Sequence, residues 1–570
     1  MMDEPFDGGE AILQGCRDLG IDYVVSSPGS DWGSVWEALG RQAEKGLAGP
    51  MYLNCGHELL AVDLAAGYTA MTGRMQAVLL HAGVGLLQGA MGLYGARLAE
   101  LPMLVMSGES TSFGLGQSFE PGAQWYNNHN VAGGLHALVH PLFKWAHRVG
   151  SVSILYESVL RAGQIAASIP VGPAYLDIPL ELMAAMCPPT RIREAPPAPR
   201  LQPSIADIER VADMLLAAKR PMVITGSMRS PDGYDAMIEL AELLALPVFE
   251  SASSDVGSFP REHPLHAGFD SAASLKDADF VLVVRSRTPW YPLANGPVEA
   301  NVVVIDEMPF KPHMAYQDLR ADALLCGDAG ASLRMLADAV HAAVQREGPA
   351  GRAVDERRAH LHRVHGQACD RQVAAIAAAR ETPQLHPVAL CAALGDTLPA
   401  DTIYVDETTV HLGLNRRYLA YRGAQSYLAM RAGLGQGIGI ALGVKLARRE
   451  RLVACLIGDG AFLYNPMIAC FGMARDAKLP LLIVIYNNHG YRAMRDSQLA
   501  YYPDGIGARR GLFYGEPIHA IDYEALIRPF GGFGIGVHER AALAPALEQA
   551  LHAVADGRTA VVNVHVTDVD

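Results

Sequence analysis

The chain has 570 residues, half of them hydrophobic, and a formal net charge of −14. That length predicts three or four domains, each able to bury its own core. The acidic balance argues against a nucleic-acid or anionic-membrane partner, which would want a basic face, and no apolar run reaches membrane-spanning length. The first residues, MMDEPFDGGEAILQG, lack an apolar signal core, so no secretory signal is visible and a cytoplasmic location is expected. Eight cysteines without a C-x-x-C spacing fit reduced, mostly buried thiols better than a disulfide framework.

Residues 1–186 alternate strand-like and helix-like runs. DYVVSSPGS reads as a strand entering a turn at Pro28-Gly29-Ser30. Cys55-Gly56 ends another strand, and Glu58 opens a helix whose Leu59, Val62, Ala66 and Met71 suggest a buried face. A Glu in a first helical turn usually serves only the helix dipole. The next stretch reads strand, glycine-rich turn, helix, strand, with His81 at the end of its strand. A histidine there, or a serine such as Ser30 in a turn, needs no function by itself. The segment holding Gln117 and Gln124 is polar, then becomes apolar, and Gly172–Pro179 looks like a closing strand.

Residues 187–204 (CPPTRIREAPPAPRLQPS) are too proline-rich for a helix or a central strand and predict an extended linker. Residues 205–345 show short strands at PMVIT, LPVFE, DFVLVV and NVVVID with helical runs between, a Rossmann-like series. Trp290 follows the third of these, where a substrate wall and core packing are equal alternatives. Residues 346–385, rich in Arg, His and Ala, predict a solvated helix linking domains. Residues 386–570 form a third α/β unit, with a strand ending at Asp406-Glu407-Thr408-Thr409 and a glycine-rich turn, Arg431–Gly437, before a helix.

The densest signal lies in residues 451–495. RLVACLI runs into Gly458-Asp459-Gly460, a helical segment follows, and LLIVIY runs into Asn487-Asn488-His489-Gly490. This predicts a βαβ crossover with both motifs at the carboxyl ends of parallel strands, where open α/β sheets bind ligands. Asp459 offers a carboxylate oxygen and Asn488 an amide oxygen. Gly490, lacking a Cβ, can turn its carbonyl inward. Three hard oxygens suit Mg²⁺ or Ca²⁺ that also holds phosphate oxygens, and Gly458 and Gly460 let the backbone approach a diphosphate. The plain alternative is an ordinary βαβ unit with a turn glycine and a capping Asp.

GDG and NN at adjacent strand ends, with Asn488 29 positions after Asp459, resemble the thiamine-diphosphate signature of the family that includes acetolactate synthase, benzoylformate decarboxylase and benzaldehyde lyase. A second motif agrees: His57-Glu58-Leu59-Leu60-Ala61 followed by Ala65-Ala66-Gly67-Tyr68 is similar to the family's pyrimidine-binding helix. The resemblance covers nearly the whole chain. It implies three α/β domains, each a mainly parallel sheet flanked by helices, at 1–186, 205–345 and 386–570. It implies thiamine diphosphate and Mg²⁺ as cofactors, with Asp459, Asn488 and Gly490 on the metal. Thr408, Thr409, Gly458, Gly460 and Ala461 would surround the cofactor. Leu434 would hold it bent, the Ala432 carbonyl would accept from its amino group, and Glu58 would bond its aminopyrimidine ring. His81 and Ser30 resemble active-site positions of benzoylformate decarboxylase, whereas Lys144–Val149 resembles benzaldehyde lyase, and Gln117 or Gln124 is similar to the active-site Gln of the synthases. Arg285–Trp290 replaces the segment bearing that decarboxylase's second histidine. The 263–271 stretch lacks the glycine run of FAD-binding synthases, so no flavin is expected.

The implied activity is making or breaking a C–C bond beside a carbonyl. Decarboxylation of a 2-oxo acid is the first reading, and transfer of the activated aldehyde to a second carbonyl the alternative. A catalytically silent partner subunit is a third, opposed by intact Glu58, Asp459 and Asn488. A small 2-oxo acid or aldehyde is the expected substrate, and a homodimer or homotetramer with sites at the subunit interface the expected assembly.

Overall fold

The structure, a computed structural model, describes residues 6–110, 120–127, 134–188, 196–311, 314, 320–347, 351–429 and 433–567. Three six-stranded sheets follow one another along the chain. The first holds β1 (Tyr23–Ser26), β2 (Met51–Asn54), β3 (Gln76–Leu80), β4 (Met103–Glu109), β5 (Trp145–Arg148) and β6 (Pro173–Pro179). The second holds β7 (Pro221–Thr225), β8 (Val248–Glu250), β9 (His266–Gly268), β10 (Phe280–Val284), β11 (Asn301–Asp306) and β12 (Ala323–Cys326). The third holds β13 (Ile403–Glu407), β14 (Tyr427–Ala429), β15 (Val453–Gly458), β16 (Leu482–Asn487), β17 (Phe533–Val537) and β18 (Ala560–His565). The strand pairs run parallel throughout.

The sequence explains this arrangement. β10 is an unbroken apolar run, β3, β7 and β16 are apolar but for one terminal polar residue each, and all four are buried along their whole length, as parallel strands with helices on both faces must be. The edge strand β2 is partly exposed along its length. The order in the first sheet is β2-β1-β3-β4-β6-β5, and in the third β14-β13-β15-β16-β18-β17. Counted from each sheet's own first strand, these are the same topology. Its switch point, where successive connections leave in opposite directions, falls between first and third strands, β1/β3 and β13/β15. The second sheet runs β12-β11-β10-β7-β8-β9, the dinucleotide-fold order, with its switch point between β7 and β10.

The helix Glu58–Thr72 was expected to bury one face; it is buried nearly all round, Leu59 through Gly67 without interruption. The reason is a second helix, Gly437–Ala447, laid against it from the third domain. Glycines set the closeness: a Cβ on Gly67 would sit 2.2 Å from the Ile440 carbonyl oxygen, and one on Gly443 2.1 Å from that of Leu64. One apolar core therefore runs from the first domain into the third, while the central domain keeps separate cores. Within that shared core Gln436 Nε2 donates to Asp63 Oδ1 at 2.9 Å, and burial pushes the Asp63 carboxyl well above its ordinary range.

Of the six strands that sequence patterning passed over, β5, β9, β12, β14 and β17 lie at sheet edges and have three to five residues each, while β18 is an inner strand. Short edge strands carry little period-2 signal. The helix Arg352–Glu381 buries only Ala379, as its polar composition requires. Among the described residues no helix is long and apolar enough to cross a membrane.

Candidate active site

At the third sheet's edge, β15 delivers Asp459 and the neighbouring β16 delivers Asn488. Asp459 is 2% exposed, and its Oδ1 accepts the Gly460 N–H at 2.8 Å. Its Oδ2 is buried without a well-formed hydrogen bond. The Asn488 carboxamide sets its oxygen 3.1 Å from Asp459 Oδ1 and 3.1 Å from the Gly490 carbonyl oxygen. Turned over, the amide nitrogen would bond both. With oxygen inward, the Asn488 oxygen stands from each of the other two at about the edge length of an octahedron whose ligands lie about 2.1 Å from Mg²⁺. One carboxylate oxygen and two uncharged oxygens so placed, with the second carboxylate oxygen of Asp459 buried and unbonded, fit a hard divalent cation. Burial raises the Asp459 carboxyl to about 6, against the pull of nearby backbone N–H groups; a bound cation would reverse that.

The turn itself differs from expectation in one respect. Gly490 was singled out for its freedom, but the left-handed residue is His489, with φ +62°. Gly490 is needed for room instead, since a Cβ would lie 3.0 Å from the Glu516 carbonyl oxygen. The strain at His489 is held by two bonds: its N–H donates to Asn487 Oδ1 at 3.1 Å, and its Nε2 lies 3.0 Å from His565 Nδ1. Among the described residues no three His, Cys, Asp or Glu side chains gather as a metal cluster, which agrees with a site built on one carboxylate.

Beside this lies the end of β13. Buried Glu407 accepts the backbone N–H groups of Gly435 (2.7 Å), Gln436 (3.1 Å) and Gly437 (2.9 Å), and Asn465 Nδ2 at 3.0 Å. One carboxylate thus caps the helix Gly437–Ala447 and clamps the turn bearing Leu434. Gly433 and Gly435 are both left-handed, φ +86° and +80°, which glycine tolerates. Leu434 is half-buried against the shared core. Ala432 lies outside the described residues. The Thr408 hydroxyl turns inward, donating to Asp406 Oδ1 at 2.7 Å, and Thr409 is exposed with φ +52°. Ala461 and Gly460 are buried in the short helix after Asp459, and a Cβ on Gly460 would strike the Tyr491 ring at 2.6 Å.

The switch point of the first sheet is the other half. His81 follows β3, and its Nδ1 lies 2.8 Å from Asp31 Oδ1. Asp31 follows β1, is fully buried, and accepts the Gly108 N–H on its other oxygen at 2.9 Å. The edge of the His81 ring meets Trp125, with centroids 6.0 Å apart. Glu58 is half-buried close by: a Cβ on Gly85 would be 3.0 Å from His81 Cβ and 3.4 Å from Glu58 Oε1. The hydrogen bond to Asp31 raises the His81 pKa, with added pull from the Asp31 and Glu58 charges, against the effect of burial. Ser30 is exposed at the head of a short 3₁₀ turn next to Asp31.

The structure thus groups Glu58 with His81 and Ser30 on one sheet, and Asp459, Asn488 and Gly490 with Thr408 and Leu434 on another. Other expectations fall elsewhere. Gln117 lies outside the described residues, and Gln124 is exposed on the short helix Ala123–Asn127. Lys144 caps carbonyls at the end of the helix Leu155–Ala167, bonding Ser168 O at 2.5 Å and the Ile165 carbonyl, so its stretch does structural work. Trp290 packs into a central-domain core. Arg285 ties the central domain to the first, with Glu307 at 2.9 Å and Glu100 at 3.3 Å. Sequence reading missed Asp31 and Asn465, and it named Glu407 in its turn without its clamping role. Asp31 stands in the turn beyond β1 and Glu407 ends β13, but their partners are 50 and about 30 positions away, beyond any local pattern.

Comparisons with known proteins match family models to three successive parts of the chain. The thiamine pyrophosphate enzyme N-terminal TPP binding domain matches residues 6–126, the central domain 208–336 and the C-terminal TPP binding domain 410–564. Benzoylformate decarboxylase of Pseudomonas aeruginosa is 26% identical, covering 87% of this chain and 89% of that protein. The acetolactate synthase isozyme 3 large subunit of Escherichia coli is 24% identical, covering 99% and 95%. A Rhodococcus jostii thiamine diphosphate-dependent 4-hydroxybenzoylformate decarboxylase superposes with a TM-score of 0.78 at 23% identity, covering 98% of this chain and 99% of that one. With three domain models matched in order and oxygen donors set at the carboxyl ends of the adjacent strands β15 and β16, the chain belongs to the thiamine pyrophosphate enzyme family.

Proposed function

We propose that this protein is a thiamine-diphosphate- and Mg²⁺-dependent decarboxylase of a small 2-oxo acid. The observation that carries the reading is His81, placed beside Glu58 at the first sheet's switch point and bonded to a buried carboxylate. Thiamine diphosphate, when bound, supplies the electron sink for breaking a bond next to a carbonyl. The Asp459, Asn488 and Gly490 oxygens would hold its metal, with Gly458, Gly460, Ala461, Thr408 and Thr409 around it. Leu434 would support the ring, fixed in place by Glu407. Glu58 would hydrogen-bond the pyrimidine end and offer a proton-exchanging carboxyl there. Ser30 holds the substrate carboxylate, and His81 delivers a proton to the carbon that has lost CO₂.

The two groups of residues lie on different sheets. We infer that a second copy of the chain completes the site, in a homodimer or homotetramer. Support comes from Val84, Leu87, Met91 and Tyr94, which flank the Glu58–His81 site and are each at least 44% exposed in the single chain. All eight cysteines are free and five are buried, which suits a reducing cytoplasm. The central domain carries no flavin in this reading, because Arg285 sits at its switch point in ion pairs with Glu100 and Glu307. The purified protein should then lack the flavin absorbance near roughly 450 nm.

The test is cofactor-dependent CO₂ release from a panel of 2-oxo acids, with products analysed with and without an added aldehyde. The reading expects CO₂ and free aldehyde in equal amounts. A hydroxyketone as the main product without added aldehyde would move the protein to the carboligases, which its full-length similarity to an acetolactate synthase subunit also allows.

A further inference from the structure

We propose that Asp31 is a positioning residue for the reaction: it holds the His81 imidazole by Nδ1–H, so that Nε2 is the nitrogen that exchanges the proton. This rests on the proton-donor reading of His81 above. The geometry behind it is specific. Both Asp31 oxygens are committed, Oδ1 to His81 Nδ1 at 2.8 Å and Oδ2 to the Gly108 N–H at 2.9 Å, so the carboxylate cannot rotate away. The Asp31 side chain is fully buried, and a buried carboxylate that already accepts a backbone N–H accepts a second proton donor rather than facing a lone pair. That fixes the ring tautomer, as a carboxylate behind an imidazole does in other catalytic pairs.

The surroundings are built for the pair. A Cβ on Gly29 would lie 2.2 Å from Asp31 Oδ1 and 2.3 Å from His81 Nδ1, and one on Gly108 would lie 2.5 Å from Asp31 Oδ2. Two glycines on two strand ends therefore clear the space the pair occupies. Trp125 closes the ring's edge, and the Trp32 indole N–H donates to the Leu80 carbonyl at 3.1 Å, anchoring the Asp31 turn beside the residue that precedes His81. Among the described residues the charged groups acting on His81 are Asp31 and Glu58. In the proton transfer, imidazolium loses the Nε2 proton to substrate carbon and remains as the Nδ1–H tautomer. Solvent then restores the proton, and Asp31 stays ionised throughout.

The experiment compares wild type, Asp31→Asn and His81→Ala. The full-length holoenzyme is assayed for turnover, KM and pH profile. Protein labelled with ¹³Cε1-histidine gives the His81 titration, assigned by the resonance missing in His81→Ala. Asn can present its amide nitrogen to His81 and reverse the tautomer. The expected result for Asp31→Asn is a fall in kcat of about 10²-fold or more with KM within a few-fold. The His81 proton affinity should fall at least tenfold. Wild-type kcat with an unchanged His81 titration in Asp31→Asn overturns the positioning role. If His81→Ala itself keeps full turnover, the proton-donor reading fails and takes this proposal with it. If His81→Ala is impaired while Asp31→Asn is not, only the Asp31 proposal falls. Should Asp31→Asn not fold, the wild-type titration still decides: a His81 pKa below that of free histidine contradicts the pair.

Discussion

At the switch point of the first sheet, β1 and β3 run into Asp31 and His81; at the matching point of the third, β13 and β15 run into Thr408 and Asp459. The strand order is the same, and so is the depth of burial behind the site. The chemistry differs. The first sheet presents an imidazole and the half-buried Glu58, side chains of the kinds that give and take protons in catalysis. The third presents oxygens, one charged and two neutral, and spends its other acid, Glu407, on capping a helix. In the proposed reading one fold supplies a proton-handling edge and a cation-holding edge, and the division follows from which side chains stand in the turns beyond the strands. Strand order dictates where a ligand sits; the residues just beyond the strands dictate what it is.

The comparison breaks most visibly at Asp459. In Asp459→Ala no other carboxylate on that edge can take the metal, so the affinity for thiamine diphosphate with Mg²⁺ should fall by about 100-fold or more. Calorimetry measures it, and unchanged affinity would remove the cation-holding role. The opposite edge should behave differently. Glu58→Gln is nearly isosteric, so it should keep cofactor affinity within about tenfold while turnover drops by about 10²–10⁴-fold. A variant that binds weakly but turns over normally once saturated would erase the distinction between the two edges.

Glu407→Gln separates architecture from chemistry. An amide nitrogen cannot accept the N–H bonds the carboxylate takes, so one buried donor is left facing another. Chemical denaturation should show a loss of about 2–4 kcal/mol, with cofactor affinity falling because the Leu434 turn loosens. A stable variant with intact affinity would mean the clamp is dispensable. His81→Ala should give a subtler result. Aldehyde release slows, and an added acceptor aldehyde raises the share of hydroxyketone; an unchanged product ratio counts against proton delivery by His81.

The smallest effect concerns pH. The folded state raises the His81 pKa, chiefly through Asp31. The pair's contribution to stability is therefore fully present below the ordinary histidine value and lost as pH rises through the folded-state value. Thermal unfolding of wild type and Asp31→Asn should differ most near the acid end of the range and converge toward alkaline pH. A gap that widens with rising pH would contradict the direction of the shift.

Much of this was legible beforehand where the signal was local. Asp459 and Asn488 each stand at the end of an unbroken apolar run, and Glu58 opens a helix with a recognisable face. The spacing of the runs gave parallel strands and, with them, the edge on which ligands bind. Legibility stopped at pairs distant in sequence. Nothing around Asp31 signals His81, and nothing around Glu407 signals Gly435. Gly490 looked like the conformationally special residue of its turn, but the left-handed geometry falls on His489, because the turn is braced by Asn487 and His565 from a neighbouring strand.

The sequence by itself determined the three α/β units, the carboxyl-edge position of both motifs and the oxygen character of the Asp459–Gly490 cluster. These follow from periodicity and side-chain chemistry acting over a few residues. The tertiary structure decided the rest: the matching strand orders of the first and third sheets, the helix pair that fuses their cores, and the partners of Asp31 and Glu407. Those depend on burial. A carboxylate taken out of water must find donors wherever the fold brings them, and the identity of those donors is a property of packing rather than of neighbouring residues.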